Sequence, residues 1–243
     1  MDAVALEAAV LFASSSAGFT VQRFAVDHPD RTLAIVLSGA PWSLRDTPGA
    51  YGLLQTVSNL LDPVDPDFVR QFVSSTVFRP VPAAFLEEMV GQSYKLPVHV
   101  WKAALEGLLE AVPAAETATI RAPTLVLWGE RDEILPRSDG QALAAAIPDS
   151  RLMTYADTGH VVHWEDPERV AADDGLAQCA NRSTARWLGP GSRSSSRGTE
   201  QLFARTLQIT RGALGGTATC PKLTAPASRV CAPYTSRHGE HEL

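Results

Sequence analysis

Apolar and polar positions along the chain follow two alternating patterns. An apolar run from Ala8 to Phe12 leads into small residues, and Val21, Phe24 and Ala25 then recur at helical spacing. Short unbroken apolar runs read as buried strands, whereas recurrence at three and four residues reads as one helix face. Met1 to Glu7 reads as the last turn of a helix, Ala8 to Phe12 as a buried strand and Val21 to Val26 as part of a helix. Asp27-His28-Pro29-Asp30 ends that helix, because the residue before a proline is pushed out of the α region. Thr32 to Leu37 is a near-continuous apolar run, typical of a parallel strand covered on both faces. Strand, helix and strand at this spacing predict a right-handed βαβ unit.

From Trp42 to about Pro113 the pattern is helical and punctuated by proline. Segments Tyr51 to Leu61, Pro66 to Thr76, Pro82 to Tyr94 and Pro97 to Val112 are predicted helices, with Pro66, Pro82 and Pro97 near their starts, where a missing N–H costs nothing. The strand pattern returns at Thr124 to Trp128 and at Arg151 to Tyr155, with a helix predicted from Ser138 to Ala146 between them. Pro167 to Ala172 opens a terminal helix. The organisation expected is a βαβ part over residues 1–42, a helical insertion placed as a lid over 43–113, a second sheet part over 114–172 and a tail over 173–243.

The tail breaks the pattern. It is rich in Ser, Arg, Thr and Gly and net basic although the whole chain carries a formal charge of −6. Low order is expected there, with one helical stretch near Glu200 to Leu207. All three cysteines fall in it, without metal-like spacing, and a reduced cytoplasmic setting is the default. A hydrophobic share of 45% and a charged share of 20% are ordinary for a globular protein. The acidic balance argues against nucleic acid as a partner. No apolar run approaches the roughly 20 residues that span a bilayer.

Chemistry concentrates where predicted strands end. The turn after the first strand is Ala13-Ser14-Ser15-Ser16-Ala17, a serine at the centre of a strand-to-helix turn with small residues two positions either side. A strained turn of this kind lifts its central side chain out of the backbone, and small flanks let the strand and helix approach. Asp132 follows the strand ending at Trp128, and His160 follows the strand ending at Tyr155. Three polar residues thus reach the carboxyl edge of one parallel sheet, where open α/β sheets gather their chemistry. His163 competes with His160, and Glu130 and Asp157 compete with Asp132. His28, beside Pro29, reads as a helix-end residue.

On Ser14-Ser15-Ser16 in its turn, on Trp128-Gly129-Glu130-Arg131-Asp132 and on the string from Gly159 to Arg169, the chain resembles the α/β-hydrolase fold family, in particular its lidded esterase and lactonase-like branch. The resemblance covers roughly Met1 to Ala172, and the order Ser, Asp, His is that of the family's triads. It implies a parallel sheet with flanking helices and a helical lid. Ser15 is then the nucleophile, His160 its base and Asp132 the residue that orients the imidazole. The Ser16 backbone N–H is a donor to the oxyanion, and Ser14, Trp42, His99 and Trp101 are placed in the substrate site. No metal or organic cofactor is implied. A serine at this turn, where related dehalogenases and epoxide hydrolases carry aspartate, points to acyl transfer to water. The expected substrate is a small-to-medium ester or lactone, and an apolar lid (Leu53, Leu54, Phe68, Phe72, Phe78, Phe85, Trp101) points to an apolar one. C–C bond hydrolysis and cofactor-free perhydrolysis stay open as alternatives.

The resemblance begins at about the fifth strand of the family's sheet. The loop after the third strand, which supplies a second oxyanion N–H, has no counterpart here, and the loss of one such donor costs ~10²–10³ in turnover. The first strand is expected to present an open apolar edge that favours self-association. A catalytically weak, truncated paralogue acting by binding or self-association is therefore the other functional reading. A start placed downstream and a shifted reading frame near Ala172 are the expected origin of both departures.

Overall fold

The structure is a computed structural model and describes residues 1–45, 47–111 and 115–172. The predicted tail, including Glu200 to Leu207 and the three cysteines, lies outside the described residues. Strands β1 (Ala9–Ser14), β2 (Thr32–Ser38), β3 (Thr124–Gly129) and β4 (Ser150–Tyr155) form a parallel sheet in the order β1-β2-β3-β4. Helix α1 (Ala17–Asp27) connects β1 to β2, and α6 (Arg137–Ala146) connects β3 to β4. Between β2 and β3 the chain forms α2 (Pro48–Ser58), α3 (Pro66–Ser75), α4 (Ala83–Ser93) and α5 (Val98–Glu110). Two short helices, α7 (Val162–Glu165) and α8 (Pro167–Ala172), follow β4.

The period of two along β2 and β3 divides the core between the two sheet faces. Ile35, Leu37 and Val126 join Ala13, Ala25, Leu143 and Ile147 on the face covered by α1 and α6. Val36, Leu125 and Leu127 point the other way and meet Tyr155, Val162 and Val170. All six residues of β3 are buried, which is why both central strands read as unbroken apolar runs. β1 departs from the expectation of a buried strand. Among the described strands it pairs with β2 alone, so only Ala13 is fully buried and the Phe12 ring is 44% exposed.

The inserted helices carry a core of their own. Val64, Val69, Val73, Val90 and Val98 pack with Phe68, Phe72 and Trp101. Trp164 of α7 enters the same cluster. Pro66 takes the first turn of α3 behind an Asp65 cap whose carboxylate accepts the Asp67 N–H at 2.9 Å. Pro82 and Pro97 stand one residue ahead of α4 and α5. The predicted helix end at Met1–Glu7 is a single 3₁₀ turn, Asp2–Val4, held by Arg31 to the Asp2 carboxylate at 2.6 Å. No helix among the described residues is long and apolar enough to cross a membrane.

Candidate active site

Ser15 stands one residue beyond β1 with a φ of 52°, in the left-handed region. An L-residue pays roughly 1–3 kcal/mol for such a conformation, and it persists only where its surroundings impose it. They do so here. The Ser15 N–H donates to the Ser38 carbonyl at 2.9 Å, and the Ser15 carbonyl accepts the Gly18 N–H at 2.9 Å. Ser16 caps α1 immediately afterwards and is exposed at the positive end of its dipole. Of the two small flanks expected from the sequence, Ala13 is buried, whereas Ala17 is exposed. The close approach of helix and sheet falls instead on Gly18, where a Cβ would lie 2.6 Å from the Ala40 Cβ.

Asp132 follows β3 in a tight turn that uses one carboxylate oxygen locally. Its Oδ1 accepts the Ile134 and Leu135 N–H groups at 2.9 and 3.0 Å. Oδ2 faces His160 Nδ1 at 2.9 Å, and the two side chains are only 1% and 4% exposed. The rivals are elsewhere. Glu130 pairs with Arg137 at 3.6 Å, and Asp157 is exposed.

The serine and the histidine meet two consecutive residues at the end of β2. Ser38 holds the Ser15 backbone, and Gly39, with φ 54°, lies directly against His160. A Cβ on Gly39 would stand 2.5 Å from the His160 carbonyl oxygen and 3.1 Å from Nδ1. Gly129 permits a second approach, since a Cβ there would be 2.0 Å from the Gly159 oxygen. The sequence reading assigned neither glycine this role, because each serves a loop more than twenty residues away.

His163 does not take the place of His160. Its Nδ1 is 3.3 Å from the buried Ser38 hydroxyl, and its ring packs edge-on against Phe12 at 5.0 Å. The residue is half-buried, and desolvation, with the nearby His160 as a lesser cause, pushes its pKa down to about 4.

The remaining candidates divide. Ser14 pairs with Ser38 in the sheet register, directly before Ser15. Trp42 lies just past β2, half-buried against the α1/α6 core, with its backbone N–H on Asp139 Oδ2 at 3.0 Å. Asp139 is itself buried, and desolvation raises its pKa against the pull of the Trp42 and Ser43 N–H groups. Trp101 packs into the inserted core against Phe72 at 5.1 Å and Phe68 at 5.6 Å. Its buried Nε1 has no hydrogen-bond partner among the described residues. His99 is exposed on α5. The structure brings neither Trp101 nor His99 into hydrogen-bond or ring contact with Ser15, Asp132 or His160.

A family model described as the alpha/beta hydrolase fold matches residues 1–167. The 2-hydroxy-6-oxo-6-phenylhexa-2,4-dienoate hydrolase of Comamonas testosteroni is 27% identical over 192 residues, covering 71% of this chain and 64% of that protein. A 2-hydroxy-6-oxononadienedioate/2-hydroxy-6-oxononatrienedioate hydrolase of a Pseudomonas species is 24% identical over 179 residues, covering 70% and 62%. Among solved structures, an esterase from Exiguobacterium antarcticum superposes with a TM-score of 0.58 at 17% identity, covering 66% of this chain and 63% of that one. A thermophilic esterase from Thermogutta terrifontis gives 0.55 at 25% identity, covering 68% and 62%. The chain spans just under two thirds of the length of these relatives. With the parallel sheet, the strained serine turn and the matched residues 1–167 together, the chain belongs to the alpha/beta hydrolase fold family.

Proposed function

We propose that this chain is a serine hydrolase that cleaves a carboxylic ester or lactone of a small-to-medium apolar substrate through an acyl-enzyme. The observation that carries the reading is the buried Asp132–His160 pair at 2.9 Å, set against the same end of β2 that holds the strained Ser15. With Nδ1 committed to Asp132, the other ring nitrogen, Nε2, is left to take the Ser15 proton as Oγ attacks the acyl carbon. The carbonyl oxygen becomes an oxyanion beside the Ser16 N–H at the start of α1. The imidazolium returns its proton to the departing alkoxide, and water, deprotonated by the same ring, then releases the acid and restores Ser15. Exposed rings of Phe12, 5.0 Å from His163, and Phe78, beside Gly159, favour an apolar substrate. In this reading α2 to α5 act as the lid, Ser14 and Trp42 border the acyl group, and the β1 edge is a surface for self-association.

The curated relatives favour a second reading. A 2-hydroxy-6-oxo-dienoate contains no ester, so its hydrolysis breaks the C–C bond beside the 6-oxo group. The same serine, base and oxyanion donor serve that reaction once the dienol has become a ketone. Two assays separate the readings. Release of p-nitrophenol from the acetate and butyrate esters supports the first. Loss of the dienoate absorbance of 2-hydroxy-6-oxo-6-phenylhexa-2,4-dienoate, with p-nitrophenyl esters left intact, replaces it with the second. A folded protein inert to both refutes the hydrolase reading.

A further inference from the structure

A buried acid that the proposed chemistry does not use stands five residues after His160. Glu165, in α7, is 7% exposed. Its Oε1 accepts the Gly159 N–H at 2.8 Å, and its Oε2 accepts the Arg79 N–H at 2.7 Å. Gly159 immediately precedes His160, and Arg79 belongs to the segment joining α3 to α4. One carboxylate therefore ties the histidine loop to the inserted helices with both oxygens. Hydrogen bonds to a charged acceptor are about twice as strong as neutral ones, and a buried charge left without them is costly.

The neighbouring contacts all converge on this junction. The His160 N–H donates to the Thr76 carbonyl at 3.2 Å. A Cβ on Gly159 would be 2.9 Å from the Phe78 nitrogen and 3.0 Å from Glu165 Oε1. Arg79 reaches the Asp166 carboxylate at 3.3 Å. On the acid side, Arg131, the residue before Asp132, lies 5.5 Å over the Phe78 ring and donates its N–H to the Thr158 carbonyl at 2.9 Å. The loops bearing Asp132 and His160 and the segment from Thr76 to Arg79 thus form one joint, with the Glu165 carboxylate inside it.

We infer that Glu165 is a positioning residue: by holding Gly159 and Arg79 together it fixes the His160 ring against Asp132 and couples that geometry to the inserted helices. This inference rests on the proposed role of His160. Glu165→Gln keeps the shape but offers one acceptor oxygen, and its amide NH₂ must then face an N–H donor. Glu165→Asp keeps the charge but is one methylene too short to span both donors. A misplacement of about 1 Å at a reacting group costs on the order of 10² in rate. Both variants are expected to lose ~10²-fold in kcat with KM within about twofold.

The deciding readout is the far-downfield NMR signal of the His160 Nδ1 proton, assigned by its disappearance in Asp132→Asn and recorded alongside circular dichroism and ester turnover. Loss or a marked shift of that signal in folded Glu165→Gln or Glu165→Asp, with the kcat-only defect, supports the inference. An unchanged signal overturns it, whatever happens to kcat. If both variants unfold, Glu165 is a stabilising residue and the inference is overturned as well. If the wild type shows the signal, the variants lose it and no acyl substrate turns over, the positioning role stands and the hydrolase reading fails.

Discussion

Gly39 and His160 are in contact at the carboxyl end of β2, and the contact requires that position 39 have no side chain. A Cβ there would be 2.5 Å from the His160 carbonyl oxygen, and the φ of 54° adds a conformational penalty for any other residue. The histidine loop therefore settles directly on the strand end that also anchors Ser15.

Gly39→Ala is the first consequence. The left-handed conformation costs about 1–2 kcal/mol for an L-residue, and the loop must also retreat from the methyl group. Thermal unfolding should show a loss of at least that size, and ester turnover should fall ~10²-fold through displacement of the imidazole. Unchanged turnover at lowered stability would separate Gly39 from the placement of His160.

Ser15 poses the reverse case. Its backbone is strained, with φ 52°, and the two hydrogen bonds that hold it run through the main chain, which glycine keeps. Glycine adopts this conformation without strain but has more freedom to lose on folding. Ser15→Gly should therefore raise stability by about 1 kcal/mol, read as an increase in Tm of several degrees, while turnover disappears. A destabilised Ser15→Gly would show that the side chain is part of the packing.

His163 gives the site a pH signature in stability. Its folded pKa, about 4, lies below the ordinary value of 6.5, so an unfolded chain takes up the proton first as pH falls. Its contribution is complete above 6.5 and is lost between 6.5 and 4, at no more than ~1.4 kcal/mol per pH unit and about 3 kcal/mol in all. Urea unfolding at a series of pH values should show a smaller acid slope for His163→Gln than for wild type across that window. Equal slopes would show that the ring is not held neutral.

The parts of the fold that were legible from residues alone are those in which local pattern and burial agree. β2 and β3 are covered on both faces and read as apolar runs, and the prolines at positions 66, 82 and 97 mark helix starts to within a residue. Ser15, Asp132 and His160 were visible because each follows a strand end. The exposure of β1 followed only from the resemblance, which implied an open edge, since Ala-Val-Leu-Phe has the same composition at an edge as in a centre. Gly18 was overlooked in favour of Ala17 because the turn pattern counts positions from the serine, whereas the close contact depends on where α1 crosses Ala40. The four-residue helix α7 carries too few positions to show a period. Glu165, Gly39 and Asp139 act on partners 86 to 121 residues away by number, from Gly39 to His160 across the longest gap, apart from the Glu165–Gly159 bond at six. Such pairings follow from topology, not from spacing.

The central claim is that His160, held by Asp132, activates Ser15. Fluorophosphonate labelling of the purified chain, with the modified peptide mapped by mass spectrometry, tests it without knowledge of the natural substrate. The account predicts stoichiometric phosphonylation of Ser15 in the wild type, none in Ser15→Ala, and labelling slowed by at least ~10³-fold in His160→Ala and Asp132→Asn. Labelling that persists in Ser15→Ala, or that proceeds at the wild-type rate in His160→Ala, would contradict it.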